Sequence, residues 1–249
     1  MRQAAAAALH YTGVLGAYRR ALHRRRGLIL TYHRVIDDRM ATAALDPGMY
    51  VTKSTFERHL QVLRRTYHLV TIDQMGRWLA GQELADRPPC ALTFDDGWAD
   101  NYEVAFPILH RQAAPATVFL ITGSVGAAGM LDWPQVKEME RAGIAFGSHT
   151  VTHAQLGLCN SAQIRQELRE SRECLVARLE RPSRWFCFPK GSHSDIACSI
   201  AREYYAGALT TEPGWVSHGD DPFRLRRINM HEDMTRSAPL FAWKIALLR

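Results

Sequence analysis

Two aspartates stand side by side directly after an apolar stretch of the chain. Residues 90–94 read C-A-L-T-F, and Asp95, Asp96 and Gly97 follow. If the stretch is a buried strand, its carboxyl end carries two carboxylates. One could bind a metal ion while the other acts as a base, because the ion keeps both groups ionised despite their repulsion. The same letters are also typical of a turn in which Asp caps a helix, so the pair alone leaves both interpretations open.

Two histidines follow a second apolar stretch. Residues 143–148 read G-I-A-F-G-S, and His149 and His153 come next with three residues between them. This spacing predicts two imidazoles on one side of a helical turn, as joint ligation of a metal requires. Together with the aspartates they predict a metal site. One carboxylate and two imidazoles leave coordination positions for water and substrate, which is typical of a catalytic rather than a structural site.

Two further predicted strands end in candidate residues. Residues 184–188 read R-W-F-C-F and lead into Pro189, Lys190 and Gly191. This turn could present a backbone N–H to an oxyanion, or it could be an ordinary turn. Residues 27–33 end in His33, which could serve as a general acid or as a structural residue.

The elements that must hold these residues alternate along the chain. Predicted strands cover residues 27–33, 68–72, 90–94, 116–121, 143–148, 184–188, 206–211 and 223–230. Helix starts are predicted by the capping boxes at Ser54 and Thr71 and by Asp132, and a long charged helix by Ser161. Strands that alternate with such helices pair in parallel and are covered on both faces. This α/β pattern favours a barrel over an open sheet, and no G-x-G-x-x-G follows a strand to indicate dinucleotide binding.

Composition agrees with one sizeable core. The chain has 249 residues, of which 47% are hydrophobic, with 17 Gly and 11 Pro, so it is not of a disordered, collagen-like or small disulfide-rich class. Its five cysteines include no C-x-x-C pair, which indicates a reducing compartment. No apolar run is long enough to predict a membrane-spanning helix.

Residues 1–26 differ from the rest of the chain. They hold six arginines and no acidic residue, and Tyr11, Leu15, Tyr18 and Leu22 recur at helical spacing, which predicts a short basic amphipathic helix. Such a helix could dock on an anionic membrane or lie on the protein's own surface. The net charge of +6 belongs to this segment, because the other 223 residues hold 25 basic and 25 acidic residues. We therefore predict this segment followed by one domain at 27–249, and no nucleic-acid partner.

Three motifs carry a resemblance to a known family. T-F-D-D-G-W at 93–98, S-H-T-V-T-H at 148–153 and F-C-F-P-K-G at 186–191 resemble, in this order, the polysaccharide deacetylase family, also called the NodB-homology or carbohydrate esterase 4 group. The resemblance implies a distorted (β/α)7-type barrel and a divalent ion, usually zinc. It further implies that Asp96, His149 and His153 are the metal ligands, that Asp95 is the general base, and that the backbone N–H of Lys190 meets the substrate carbonyl.

Two positions depart from the family pattern. Many members carry an arginine in the third motif that helps orient the base, whereas Cys187 occupies the matching position here. Arg226 or Arg227 could orient Asp95 instead, bind a sugar phosphate or form surface salt bridges. A late L-x-H motif often supplies the general acid, and His231 is its nearest match. The branch that deacetylates poly-N-acetylglucosamine has an N-terminal Y-H-x-V segment, which residues 32–35 match, so His33 is favoured over His231.

The resemblance also implies an activity. The expected enzyme is a hydrolase that removes the N-acetyl group from an amino sugar in a polysaccharide, an oligosaccharide or a lipid-linked glycan and releases acetate. Zn²⁺ is the expected cofactor, with Co²⁺ or Ni²⁺ as alternatives. Deformylation of a lipid-linked amino sugar at the same centre, or sugar binding without catalysis on the same fold, are the competing functions.

Substrate contacts are expected at the third motif and at one tryptophan. Pro189, Lys190 and Gly191 are predicted to line the groove, and Trp215 to stack on a sugar ring, although core packing is its alternative role. The expected location is cytoplasmic, with a peripheral contact at the inner face of an anionic membrane left open.

Overall fold

The computed structural model describes residues 2–23, 25–42, 45–82 and 86–247. Its strands are β1 Leu28–Tyr32, β2 Arg34–Ile36, β3 Tyr50–Thr52, β4 His68–Val70, β5 Pro89–Phe94, β6 Thr117–Leu120, β7 Ala145–Ser148, β8 Trp185–Cys187, β9 Gly207–Pro213 and β10 Leu225–Asn229. Its α-helices are α1 Arg2–Tyr11, α2 Val14–His23, α3 Lys53–Thr66, α4 Ile72–Leu79, α5 Phe106–Arg111, α6 Trp133–Arg141, α7 Ser161–Arg178, α8 Asp195–Ala201, α9 Glu232–Thr235 and α10 Ala238–Leu247.

Seven parallel strands close into a barrel. The order around it is β1, β5, β6, β7, β8, β9 and β10, and β10 pairs again with β1. Helices follow most of these strands along the chain, as the alternation of strand and helix requires. The predicted (β/α)7-type barrel is therefore confirmed, with all its strand carboxyl ends at one rim.

β4 is the eighth strand of the main sheet and makes the (β/α)7-type barrel irregular. β4 pairs with the first half of β5, at Pro89–Ala91, whereas β6 pairs with Thr93 and Phe94 in the second half. β4 and β6 both lie on the side of β5 away from β1. β4 is therefore a short additional strand and not one of the seven strands that close the barrel. The predicted strand at 68–72 exists, but it is shorter and ends where α4 begins.

Alternate residues of the barrel strands fill the interior of the barrel. The interior cluster takes one or two buried side chains from most strands, including Ile29, Ala91, Phe119, Leu209 and Leu225. Side chains on the other face of the strands pack under the surrounding helices in a larger cluster. Because successive residues of a strand point to opposite faces, the run of buried residues in each strand serves both layers.

Local signals explain several helix ends. Thr71 and Gln74 form the predicted capping box of α4, and Asp132 caps α6 with Gln135. The capping box predicted at Ser54 and Glu57 is wrong. Thr52 caps α3 instead, and the carboxylate of Glu232, distant in sequence, accepts hydrogen bonds from the Thr52 N–H at 2.8 Å and the Thr55 hydroxyl at 3.0 Å.

The N-terminal segment forms two helices rather than the one predicted. Gly13 has a φ of 78° between α1 and α2, a value that glycine adopts readily and that ends the first helix. Leu15 and Tyr18 of the predicted apolar face pack against α10 beside Ala242 and Ala246. These two residues of the predicted apolar face therefore lie against the protein's own surface, whereas Tyr11 is exposed. The side chain of Leu22 lies outside the described residues. The side chains of Arg2, Arg19, Arg20 and Arg24 lie outside the described residues.

Within the described residues, no helix combines the length and the apolar character that crossing a membrane requires.

Candidate metal centre and catalytic groove

The sequence-predicted site residues converge at the carboxyl rim of the barrel. Asp95 and Asp96 follow β5, His149 follows β7 and His33 follows β1. These strands are separated along the chain, but parallel closure of the barrel brings their ends together. The predicted grouping of the two aspartates with the two histidines is therefore present in the structure.

Asp96, His149 and His153 form a compact set of possible metal ligands. The Nε2 atoms of both histidines lie 3.5 Å from Oδ1 of Asp96. All three donor atoms lie within 4.8 Å of one another. One carboxylate and two imidazoles in this arrangement fit a divalent transition metal with open coordination positions. This set agrees with the ligands that the family resemblance implies.

The His149 ring is oriented from its second nitrogen. Its Nδ1 lies 2.8 Å from the carbonyl oxygen of Cys187, which can only accept, so Nδ1 carries the proton and Nε2 keeps its lone pair. Burial lowers the pKa of His149, against the opposing effect of the neighbouring Asp95 and Asp96 carboxylates. A neutral imidazole with a free Nε2 is the form that ligates a metal.

The loop that carries the two histidines is not the predicted helical turn. Thr150 and His153 have φ values of 68° and 62°, in the left-handed region that residues other than glycine seldom adopt. Glu167 of α7 anchors the loop by accepting hydrogen bonds from the backbone N–H groups of Val151 at 2.7 Å and Thr152 at 3.0 Å. Such backbone strain is typical of functional sites, where surrounding contacts enforce it. Sequence reasoning missed Glu167, since nothing distinguishes it from the other acids of a charged helix.

Asp96 also has a left-handed backbone conformation, and a neighbouring side chain holds its carboxylate. Its φ is 74°, and Gly97 follows with a φ of 83°. The indole N–H of Trp98 donates to Oδ2 of Asp96 at 3.0 Å, which leaves Oδ1 for the two histidines. After β5 the two carboxylates therefore have different partners, Arg227 for Asp95 and the two histidines for Asp96.

Asp95 is held by a buried arginine. Arg227 donates from Nη1 to Oδ1 at 2.8 Å and from Nη2 to Oδ2 at 2.7 Å, and both side chains are almost fully buried. Burial raises the pKa of Asp95, but the paired guanidinium outweighs it and holds the pKa of that carboxyl well below its ordinary value. Asp95 therefore carries a negative charge at neutral pH and has a single orientation.

Arg227 orients Asp95, which is the role that an arginine of the third motif has in many family members. Of the two arginines considered from the sequence, Arg227 faces the barrel interior and Arg226 is exposed. The Cys187 thiol lies 2.9 Å from Nη2 of Arg227 and 3.5 Å from Oδ2 of Asp95. Asp95, His149 and Cys187 also cluster closely enough to be considered as ligands. Burial raises the pKa of the thiol well above its ordinary value and Arg227 occupies Asp95, so this second group suits a metal poorly.

The two candidate general acids are neighbours across adjacent strands. Thr31 of β1 and Asn229 of β10 are register partners, and His33 and His231 each follow two residues later. The half-buried His33 contributes to the charge environment that lowers the pKa of Asp95. Burial and then Lys244 lower the pKa of His231. Both histidines therefore lie at the same rim as Asp95, and the preference for His33 over His231 as the general acid stays a prediction.

The third-motif turn stands beside these groups. Pro189–Gly191 forms a short 3₁₀ turn after β8, and Lys190 has a φ of 53° and a ψ of 17°. A Cβ at Gly191, whose φ is 67°, would lie 2.1 Å from Oγ1 of Thr211, so this position requires glycine. The turn thus has the defined backbone that presenting an N–H to a substrate would need.

The prediction that Trp215 stacks on a sugar is wrong. Trp215 is 6% exposed and packs in the core beside Tyr67. The next residue, Val216, pairs with Gly27 at the amino end of β1, at the end of the barrel opposite Asp95. The chain after β9 therefore carries Trp215 away from the groove, and its alternative role in core packing is the observed one.

Known proteins share this arrangement of motifs and fold. The polysaccharide deacetylase family model matches residues 83–207, half of the chain. The Bacillus subtilis protein YxkH, named for the polysaccharide deacetylases, is 28% identical over 212 residues that cover 84% of this chain and 73% of that protein. The poly-β-1,6-N-acetyl-D-glucosamine N-deacetylase of Staphylococcus aureus is 30% identical over 159 residues, which cover 57% of this chain and 54% of that enzyme.

Solved structures of deacetylases have a similar fold. The Streptococcus pyogenes deacetylase PplD, in complex with acetate, superposes with a TM-score of 0.79 at 29% identity, covering 90% of this chain and 99% of PplD. IcaB from Ammonifex degensii superposes with a TM-score of 0.76 at 25% identity, covering 88% of this chain and 97% of IcaB. The chain therefore belongs to the polysaccharide deacetylase family of hydrolases.

Proposed function

We propose that this protein is a metal-dependent hydrolase that removes the N-acetyl group from an amino sugar. The observation that carries the proposal is the convergence of an oriented, ionised carboxylate on Asp95 with the adjacent ligand set of Asp96, His149 and His153. A base beside an open metal position is the arrangement that hydrolysis of an amide by an activated water requires.

Asp96, His149 and His153 would hold the ion, and Zn²⁺ is the proposed one, with Co²⁺ or Ni²⁺ able to use the same donors. When bound, such an ion supplies Lewis-acid chemistry, which polarises a carbonyl and makes water more acidic. Trp98 and the Cys187 carbonyl would keep two of the ligands in place.

The remaining steps belong to the side chains of the groove. Asp95, kept ionised by Arg227, takes a proton from the attacking water as its oxygen forms a bond to the acetyl carbon. The backbone N–H of Lys190 donates to the oxyanion that develops on the acetyl oxygen. His33 then gives a proton to the sugar nitrogen, the C–N bond breaks, and acetate and a free amino sugar leave.

The proposed substrate is an N-acetylated glycan. The family assignment and the named substrate of the Staphylococcus aureus relatives, poly-β-1,6-N-acetyl-D-glucosamine, support an N-acetylglucosamine polymer or oligomer. A lipid-linked N-acetyl sugar carries the same reacting amide and stays within the proposal.

Acetate release tests the activity. Zinc-loaded protein is expected to release acetate from N-acetylglucosamine oligomers, and protein stripped by a chelator is expected to release none until zinc returns. N-formyl analogues run beside the N-acetyl substrates distinguish deacetylation from deformylation. No release from any of them by fully loaded protein, combined with tight sugar binding, would leave a non-catalytic sugar-binding protein and refute the proposed activity.

A second proposal concerns residues 1–26. We infer a peripheral contact with the anionic inner face of the membrane and hence a cytoplasmic location. It is supported by the six arginines without acids in this segment and by the exposed side chains of Tyr11, Arg25 and Arg26. Since Leu15 and Tyr18 are packed against α10, the contact would be mainly electrostatic.

Vesicle sedimentation tests this contact without removing α1 and α2. The wild-type chain is expected to bind vesicles that contain phosphatidylglycerol and to remain free of vesicles made of phosphatidylcholine alone. Changing Arg19, Arg20, Arg24, Arg25 and Arg26 to Gln should abolish the binding while leaving the apolar packing intact. Equal binding by this variant would refute the proposal.

A further inference from the structure

Arg34 lies at the edge of the candidate metal centre. It directly follows His33, and its guanidinium carbon lies 4.9 Å from the centroid of the Trp98 ring. The same indole donates its N–H to Asp96 at 3.0 Å. Only the width of one tryptophan side chain therefore separates the Arg34 cation from a candidate metal ligand.

Asp100 holds the Arg34 guanidinium in one orientation. Its Nε donates to Oδ2 of Asp100 at 2.7 Å, and Asp100 is buried. The other oxygen of Asp100 accepts from the Val35 backbone N–H at 3.1 Å. Stacking on Trp98 restricts the remaining freedom of the planar group. An arginine that is partly exposed thus has little rotational freedom left to lose on binding a ligand.

Most donors of this arginine are unused. Within the described residues, neither Nη1 nor Nη2 of Arg34 makes a hydrogen bond or an ion pair, and the side chain is 29% exposed. The pair with Asp100 is neutral overall, so it attracts a phosphate less than a free arginine would. Fixed N–H donors on a neutral pair, next to an aromatic ring, suit the hydroxyl and acetal oxygens of an uncharged sugar.

We propose that Arg34 is a substrate-binding residue that donates hydrogen bonds from Nη1 and Nη2 to oxygens of the sugar next to the one that carries the reacting acetyl group. The inference rests on the proposed function and specifies its substrate class as a neutral glycan of two or more sugars. Arg34 would set the preferred chain length, while Asp95 and His33 carry the chemistry.

Equilibrium binding to an inactive background tests the role. In zinc-loaded Asp95→Asn protein, the dissociation constant of a β-1,6-linked N-acetylglucosamine trimer is compared by calorimetry with and without Arg34→Lys. Lysine can still pair with Asp100 but lacks the planar Nη donors. The loss of charge-assisted hydrogen bonds is expected to raise the dissociation constant of the trimer about tenfold and to leave that of the monosaccharide unchanged.

Two further measurements separate binding from structural effects. Arg34→Gln should weaken the trimer in the same way, and Arg111→Met, which removes an exposed arginine paired with Glu57, should not. In the Asp95 wild-type background, Arg34→Lys should raise KM for the trimer and leave kcat unchanged.

An unchanged dissociation constant for the trimer in both Arg34 variants, or an equal loss of trimer and monosaccharide binding, would overturn this inference while the deacetylase activity stands. A wild-type enzyme that releases no acetate from any N-acetylated sugar would instead overturn the proposed function, and this inference with it.

Discussion

The pair of Arg227 and Asp95 allows a quantitative test of how the base is held. Arg227→Met keeps an unbranched apolar side chain at the position but removes the only guanidinium that donates to both oxygens of Asp95 among the described residues. The carboxylate then stays buried, because the barrel interior beneath it is filled by Ile29, Phe119 and Leu209. The variant therefore leaves an uncompensated buried charge.

The expected cost follows from burial. The side chains of Arg227 and Asp95 are 0% and 4% exposed. Removing one partner of a buried ion pair typically lowers the free energy of unfolding by about 3–5 kcal/mol. Asp95→Asn combined with Arg227→Met removes both charges, so the double variant should be more stable than Arg227→Met alone.

Urea unfolding of the metal-free protein at neutral pH is the assay, because a bound cation would partly replace the missing positive charge. Arg111→Met is the matched control. Its pair with Glu57 has the same 2.7 Å separation, but the side chains are 60% and 33% exposed, so its loss should cost at most about 1 kcal/mol. If Arg227→Met cost no more than Arg111→Met, the view that burial makes this pair indispensable would be refuted.

Two other substitutions test separate parts of the structure. Trp98→Phe removes the N–H that binds Asp96 and should weaken zinc binding about 10- to 100-fold in a chelator competition assay; an unchanged dissociation constant would contradict this orienting role. Burial lowers the pKa of His59 from 6.5 to about 3. Between these pH values the unfolded chain binds one more proton at this residue than the folded protein does. The free energy of unfolding therefore falls as the pH falls, by about 1.4 kcal/mol per pH unit from this residue. His59→Gln, which can replace the bonds to Tyr32 and Thr235, should reduce the slope of urea-derived stability between about pH 4 and 6 by that amount; a slope equal to that of the wild type would refute it.

Much of the site could be predicted because its signals are local. Apolar runs that end in Asp95 and in His149 predict strands with functional groups at their carboxyl ends, and parallel strands must bring such ends to one rim. The spacing of His149 and His153 predicted that their imidazoles lie together, and both lie beside Asp96. The loop between them contains left-handed residues at Thr150 and His153, which the sequence does not mark with a glycine.

Long-range contacts decided what the sequence left open. Whether Arg226 or Arg227 reaches Asp95 depends on the register of β10, which is irregular between Leu225 and Arg227. The cap of α3 is Thr52 rather than Ser54, and the carboxylate that supports it is that of Glu232, distant in the chain, rather than that of nearby Glu57. Trp215 could not be placed because the chain folds back after β9. Local propensity contains none of this information.

The most direct test of the central assignment compares Asp95→Asn with His149→Ala for zinc content and acetate release from the same N-acetylglucosamine oligomer. The proposed roles predict that Asp95→Asn retains about one zinc per chain and loses turnover, whereas His149→Ala loses both the zinc and the turnover. Loss of zinc from Asp95→Asn together with its retention in His149→Ala would contradict the assignment of the base and the metal ligands.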